Sequence, residues 1–369
     1  MTVKTEHVET CVLCRTSGRV LYPHVKDDLY GHEGDFGELI CPTCGLIWLC
    51  PRPVREDMGE FYGRYYTHAS VADSTHADGQ PRFLGGLRDA IRAMIFCGYY
   101  GYTHLHSRHT LCALGKALGR LQWLRVRATN ELKERIPHYK EDGLLLDIGC
   151  GRGDFLFAMK SLGWNVLGVE IDPVASALAQ GRGIRVHTGP FEEVDIPSES
   201  VDHITMNHVI EHVYDPIAVM DKCYRILKPS GTVVLYAPNA RSLGHKWFQG
   251  HWLPLDPPRH LYCYFTANMR MLLERCGFTR IRLWTSPRMA AGVYDASVML
   301  QKGIVMGAHT APRQKGRRWF SVKERASCAL GLPSGEEIVA TATKPSGALR
   351  STQDATASLT DGRHANDPN

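Results

Sequence analysis

Between residues 143 and 286 the chain alternates short apolar runs with stretches of helical period, the pattern of a parallel sheet with helical crossovers. The runs Leu144–Ile148, Asn165–Glu170, Ile184–Thr188, Asp202–Met206, Thr232–Ala237 and Arg280–Thr285 predict strands. Pro173, Pro216 and Thr266 stand where the intervening helices should begin, because proline fits the first helical turn and a threonine hydroxyl can cap it. Residues 287–333 show no clear period and read as a long irregular segment, after which Glu336–Lys344 predicts a last strand. The fold class expected is α/β: a doubly wound, mostly parallel, seven-stranded sheet.

Upstream, residues 1–60 form a small cysteine-bearing module. Residues 61–137 read as a linker followed by a basic helical region, residues 138–345 as the α/β domain, and residues 346–369 as a disordered Ser/Thr/Ala/Asp/Gly-rich tail. No internal repeat is present.

The junction after the first strand carries chemistry. Asp147 closes the strand, Gly149, Gly151 and Gly153 make the turn, and a helix should start near Asp154. Glu170 ends the second strand, where a carboxylate can accept hydrogen bonds from two ribose hydroxyls. Phe155 and Leu156 fill the region where a dinucleotide fingerprint wants its third glycine, so the cradle is for another nucleoside.

LLLDIGCGRGDFL, VLGVEID, SVDHITMNHVIEHV and YRILKPSGTVVLYAPN, in this order, resemble a class I S-adenosylmethionine-dependent methyltransferase over residues 143–286. The resemblance implies a Rossmann-like fold and S-adenosyl-L-methionine as cofactor. It implies Asp147, Gly149 and Gly151 against the methionine part, Glu170 on the ribose, and Cys150, Ile171 and Asn207 as further contacts. The turn after the third strand should flank adenine. Members of the family often have an Asp there, whereas this chain has Gly189-Pro190-Phe191-Glu192, so Phe191, Glu192 and backbone groups are the expected contacts.

Open α/β sheets hold ligands outside the carboxyl ends of their strands, and the fourth strand ends in Met206-Asn-His-Val-Ile-Glu-His212. Methyl transfer needs a positioned nucleophile and, for an oxygen nucleophile, a proton acceptor. His208, Glu211 and His212 are candidates for base and orienting acid; Glu211 and His212 could equally cap and orient the loop. The string also matches H-x-x-E-H, but that zinc-peptidase pattern needs a long regular helix, so the match is read as coincidental. Further on, Trp247, Trp252, Asp256, Pro257, Pro258, Arg259, His260 and Tyr262 suggest a proline-stiffened lid over a polar or sugar-like substrate. His260 is the second candidate base, and Trp247 is expected merely to pack the lid on the sheet.

Cys11-x-x-Cys14 and Cys41-x-x-Cys44 give two thiolate pairs separated by twenty-six residues. This donor set suits a structural, tetrahedral Zn2+, with free or redox-active thiols as the alternative. The other eight cysteines read as scattered, ordinary buried residues. CPTCGLIWLCPRP followed by FYGRYY resembles the N-terminal zinc module of bacterial sugar and polysaccharide-biosynthesis methyltransferases. That implies a sugar, nucleotide sugar or lipid-linked saccharide as methyl acceptor.

Composition adds bounds. With 369 residues, 44% of them hydrophobic, the chain can bury a full core. The formal net charge of +5 is too small to indicate nucleic acid by itself. The polar N-terminus, the lack of a long apolar run and twelve cysteines argue for a cytoplasmic, reducing compartment. Basic residues interleaved with aromatics, in 82–135 and in Arg313–Arg325, read as solvated helix faces or as contacts to anionic lipid at a membrane surface. Two other functions remain open at this stage: an RNA methyltransferase with a zinc module, and a non-catalytic scaffold using that module for partner binding.

Overall fold

The computed structural model describes residues 3–62, 87–105, 109–121, 124–125, 128–129, 135–305 and 311–347. Most of the expected linker and the tail beyond residue 347 lie outside the described residues. The strands of the first module are β1 (Thr5–Glu6), β2 (Arg19–Val25), β3 (Phe36–Ile40), β4 (Ile47–Leu49) and β5 (Arg52–Pro53). Helices α1 (Leu87–Gly98) and α2 (His109–Leu118) follow. The α/β region then runs β6 (Leu144–Ile148), α3 (Asp154–Ser161), β7 (Asn165–Glu170), α4 (Pro173–Gly181), β8 (Arg185–Thr188) and β9 (Val201–Asn207). It continues with α5 (Pro216–Ile226), β10 (Leu227–Pro238), α6 (Leu243–Phe248), β11 (Tyr262–Cys263) and α7 (Thr266–Arg275). Last come β12 (Thr279–Ser286), α8 (Ala290–Gln301), α9 (Arg317–Ala329) and β13 (Glu337–Thr343).

Seven strands form one sheet in the order β12-β13-β10-β9-β6-β7-β8, parallel except for β13, which runs antiparallel to both β10 and β12. This is the doubly wound, Rossmann-like sheet that the alternating pattern predicts. The chain moves outward from β6 through β7 to β8, then returns to β9 on the other side of β6. That reversal opens a crevice at the carboxyl ends of β6 and β9, where such sheets bind ligands. The helix starts follow the local chemistry: Asp172 and Asp215 cap α4 and α5 by accepting from backbone amides, with Pro173 and Pro216 in the first turn.

Residues 287–333 correct the expectation of an irregular segment, because they hold α8 and α9. Their periodicity is masked: α8 is apolar on several faces, and α9 buries little beyond Phe320 and Glu324. A second correction concerns the cysteines. Cys97 and Cys112 form a disulfide between α1 and α2, with Cα atoms 5.2 Å apart, rather than being separate buried residues. Small residues allow that approach: a Cβ on Gly98 would meet the Cys112 carbonyl oxygen at 1.9 Å. No helix among the described residues is long and apolar enough to cross a membrane.

The cysteine module is not a separate bead. Its sheet, β2-β3-β4, takes a fourth strand from β11 of the α/β region. Its core residues Trp48, Leu49 and Phe61 share one apolar cluster with Ile204, Met206 and Leu261.

Candidate active site

The turn after β6 is built as its glycines require. Gly149 and Gly153 have φ of 71° and 75°, a region that side chains with a Cβ rarely adopt. A Cβ at Gly149 would also lie 2.5 Å from Val209 Cγ2, so the loop after β9 leans directly over the turn. Asp147 is buried beneath them, accepting from the Thr205 hydroxyl, with the Arg135 guanidinium 3.5 Å away. Cys150 directs its side chain inward, because its Sγ packs where a Cβ on Gly168 would sit. Only its backbone is left to face the crevice.

Glu170 is buried at the end of β7, where its carboxylate accepts from the amides of Gly151 (2.7 Å) and Asp172 (2.9 Å). The same carboxylate thus braces the glycine turn. Burial outweighs those bonds and raises its pKa. Ile171 beside it is 68% exposed, an apolar surface facing solvent at the rim. Phe191 is buried in the turn after β8, its ring under the Lys222 ammonium, which also donates to the carbonyls of Phe191, Glu192 and Val194. Glu192 pairs with Arg55 of the cysteine module, and Asn207 ends β9 half-buried.

Opposite this cradle, residues 208–213 form a turn rather than a helix. His208, at φ 56°, donates from Nδ1 to Glu211 (3.1 Å) and from Nε2 to Glu337 on β13 (3.0 Å). Burial alone would lower its pKa, but the two carboxylates override it and push the imidazole up to about 9. His208 is therefore a fixed cation at neutral pH, which removes its capacity to accept a proton there. Glu211 is fully buried, and its Oε2 has no hydrogen-bond partner. His212 places Nδ1 3.0 Å from the Arg259 carbonyl and 2.9 Å from the Tyr62 hydroxyl; burial, then the neighbouring His260, pushes its pKa down to about 4. His260 packs edge-on against His212, ring centroids 4.6 Å apart, with its Nδ1 2.7 Å from the Pro254 carbonyl. One ligand atom from each of Glu211, His212 and His260 lies within 4.8 Å of the others.

The Trp252–Tyr262 segment is packed inward and is not an open lid. Trp252, Arg259 and Tyr262 are buried, and the Trp252 indole donates to Glu336. Trp247, expected to be the packing residue, is instead 40% exposed, against Trp319. Burying Trp252 supplies an indole partner inside; Trp247, on the outer face of α6, finds only α9.

Sequence reasoning missed Tyr62, Asp27 and Arg135. Tyr62 comes from the cysteine module to the His212 ring, and Asp27 from the same module to the Arg259 guanidinium. Arg135, grouped with the solvated basic residues, is buried with its guanidinium over Phe155 and beside Asp147. Only the position of Arg135, shortly before β6, hinted at this.

At the edge of the molecule, the sulfurs of Cys11, Cys14, Cys41 and Cys44 come together. The Cys14–Cys41, Cys11–Cys44 and Cys14–Cys44 separations are 3.2, 3.5 and 3.8 Å. Tetrahedral ligation with bonds of about 2.3 Å places sulfurs about 3.8 Å apart, so this donor set fits such an ion with little adjustment.

Residues 121–283 match the family model described as a methyltransferase domain. The crevice lies within this stretch, which is similar to a methyltransferase domain. A relative from Mycolicibacterium smegmatis, named a probable S-adenosylmethionine-dependent methyltransferase, is 29% identical over 39% of this chain and 55% of its own length. A ubiquinone biosynthesis O-methyltransferase of Cereibacter sphaeroides is 32% identical over 30% of this chain and 49% of its own. The chain spans about half the length of these curated relatives. Among solved structures, a SAM-dependent methyltransferase from Archaeoglobus fulgidus is similar over 60% of this chain and 94% of its own, with 21% identity and a TM-score of 0.42.

Proposed function

We propose that this protein transfers the methyl group of S-adenosyl-L-methionine to a small-molecule acceptor, with a sugar, nucleotide sugar or lipid-linked saccharide as the acceptor class. The observation that carries the reading is the Gly149–Gly153 turn, braced by Glu170, with the loop that bears Glu211 and His212 leaning on it at Val209. The sulfonium supplies an activated methyl group. Glu170 would hold the ribose, Asp147 and the backbone at Gly149, Cys150 and Gly151 the methionine part, and Ile171, Phe191 and Glu192 the adenine side. Asn207, at the end of β9, would lie between cofactor and acceptor. Most of the acceleration would come from aligning the acceptor with the methyl group.

Acceptor activation is assigned to Glu211, His212 and His260. His208 positions Glu211 through its bond to that carboxylate. The proposal also assigns Cys11, Cys14, Cys41 and Cys44 to a structural Zn2+, which would staple a module whose apolar core is shared with the methyltransferase domain. Exposed Trp319 and Val322 beside Arg318, Lys323 and Arg325 on α9 support contact with an anionic membrane surface, as a lipid-linked acceptor would require.

The test is an acceptor screen with methyl-labelled cofactor, following label into extracted saccharides, lipids and RNA. Label in saccharide or saccharide-lipid fractions is expected. Label confined to RNA would overturn the acceptor assignment.

A further inference from the structure

The Glu211, His212 and His260 cluster has features that proton transfer alone does not need. Each imidazole has its Nδ1 facing a backbone carbonyl, Arg259 for His212 and Pro254 for His260. A carbonyl only accepts, so Nδ1 of His260 carries the proton and its Nε2 the lone pair; at His212 the Arg259 carbonyl favours the same tautomer, with the Tyr62 hydroxyl a second neighbour of Nδ1 at 2.9 Å. That is the arrangement by which metal-binding histidines are oriented, the second ring nitrogen being tied to a carbonyl or carboxylate. The third member is a carboxylate that is 0% exposed: its Oε1 accepts from His208, while its Oε2 has no hydrogen-bond partner, an acceptor costly to bury unsatisfied. Its backbone is fixed as well: the Glu211 carbonyl accepts from the amides of Leu261 and Tyr262, locking the turn to the strand that follows His260.

We propose that Glu211, His212 and His260 form a second metal site, distinct from the four-cysteine site, which binds one divalent transition-metal ion through two imidazole nitrogens and one carboxylate oxygen. One ligand atom from each residue lies within 4.8 Å of the others, and an ion bound at about 2.1 Å would draw them to about 3.4 Å apart. Nitrogen and carboxylate donors suit zinc, iron, cobalt or manganese, whereas the four thiolates select zinc.

The catalytic consequence rests on the methyl-transfer reading. The ion would polarise an acceptor hydroxyl and lower its pKa. The hydroxyl proton leaves to water, the oxygen pair forms the new C–O bond, and the C–S pair stays on sulfur to give S-adenosylhomocysteine.

The experiment uses the full-length, zinc-containing protein dialysed to equilibrium against Co2+, with metal counted per chain and the visible spectrum recorded. Wild type should take one Co2+ in addition to its zinc, with weak visible bands and no thiolate-to-metal charge-transfer absorption. Glu211→Gln and His260→Ala should each weaken that binding at least tenfold, and His212→Gln serves if either fails to fold by circular dichroism. No cobalt uptake by wild type, uptake showing only thiolate charge transfer, or unchanged affinity in the folded variants would overturn the site. S-adenosylmethionine binding is measured on the same samples. Its loss in wild type would remove the methyl-transfer reading without touching the metal result.

Discussion

Replacing Arg259 by methionine should destabilise the whole protein. Arg259 is completely buried, and its guanidinium donates to both oxygens of Asp27 (3.0 and 2.7 Å) and, through Nε, to both oxygens of Asp256 (3.1 and 3.0 Å). The Tyr30 ring lies 4.6 Å from it. Asp27 is buried too; burial pushes its pKa up, but Arg259 more than offsets this and holds the carboxyl below its ordinary value. Methionine keeps the packing volume but leaves two carboxylates without their cation. Removing one partner of a buried ion pair costs about 3–5 kcal/mol. With an unfolding entropy of about 2 cal/mol/K per residue over roughly 300 residues, Tm should fall by about 5–8 °C. Differential scanning calorimetry of Arg259→Met, Asp27→Asn and the double variant forms the assay. The double variant should lose less than the sum of the singles, because the two changes remove the same contact. A Tm within 1 °C of wild type for Arg259→Met, or strictly additive losses, would refute the claim that this ion pair fastens the cysteine module to the α/β domain.

Gly149→Ala should be destabilised by about 1–3 kcal/mol and should bind cofactor poorly, since its Cβ meets Val209 Cγ2 at 2.5 Å on a backbone with positive φ; denaturant titration and calorimetry check both. Purified protein should contain zinc at the four cysteines, and a strong chelator should expose residues 1–60 to proteolysis before the α/β region; unchanged digestion after verified zinc removal would count against a structural role. Stability should fall as pH rises from about 6.5 to 8, above the range in which His212 and His203, lowered to about 4, act in the opposite sense. Burial raises Glu336 to about 7 and Glu324 to about 8, so over that window the folded state holds protons that the unfolded chain, with carboxyls near 4.5, has released. Each group contributes a slope of at most about 1.4 kcal/mol per pH unit, and Glu324→Gln should flatten the curve measured by urea unfolding at several pH values.

The sheet was legible because its inner strands are buried on both faces and read as bounded apolar runs; six of the seven strands lie within one residue of expectation, while β10 begins earlier, at Leu227. The cofactor cradle was legible because its chemistry is local: a strand end, three glycines and a carboxylate on the next strand. Helices α8 and α9 were not, since neither shows a clean apolar stripe. The acceptor side was only half legible. His212 and His260 could be named from sequence, but their contact depends on a long connection and on Tyr62 and Asp27 reaching across from the first module. The charge state of His208 was hidden for the same reason, because Glu337 lies on the last strand, 129 residues away.

The central claim is tested most directly by isothermal titration of S-adenosylmethionine and S-adenosylhomocysteine into wild type, Glu170→Ala and Glu170→Gln. The account predicts one saturable site per chain in wild type. Affinity should drop at least tenfold in Glu170→Ala, which loses both the ribose acceptor and the brace on Gly151, with partial recovery in Glu170→Gln. Absence of saturable binding by wild type, or equal affinity in a folded Glu170→Ala, would contradict it.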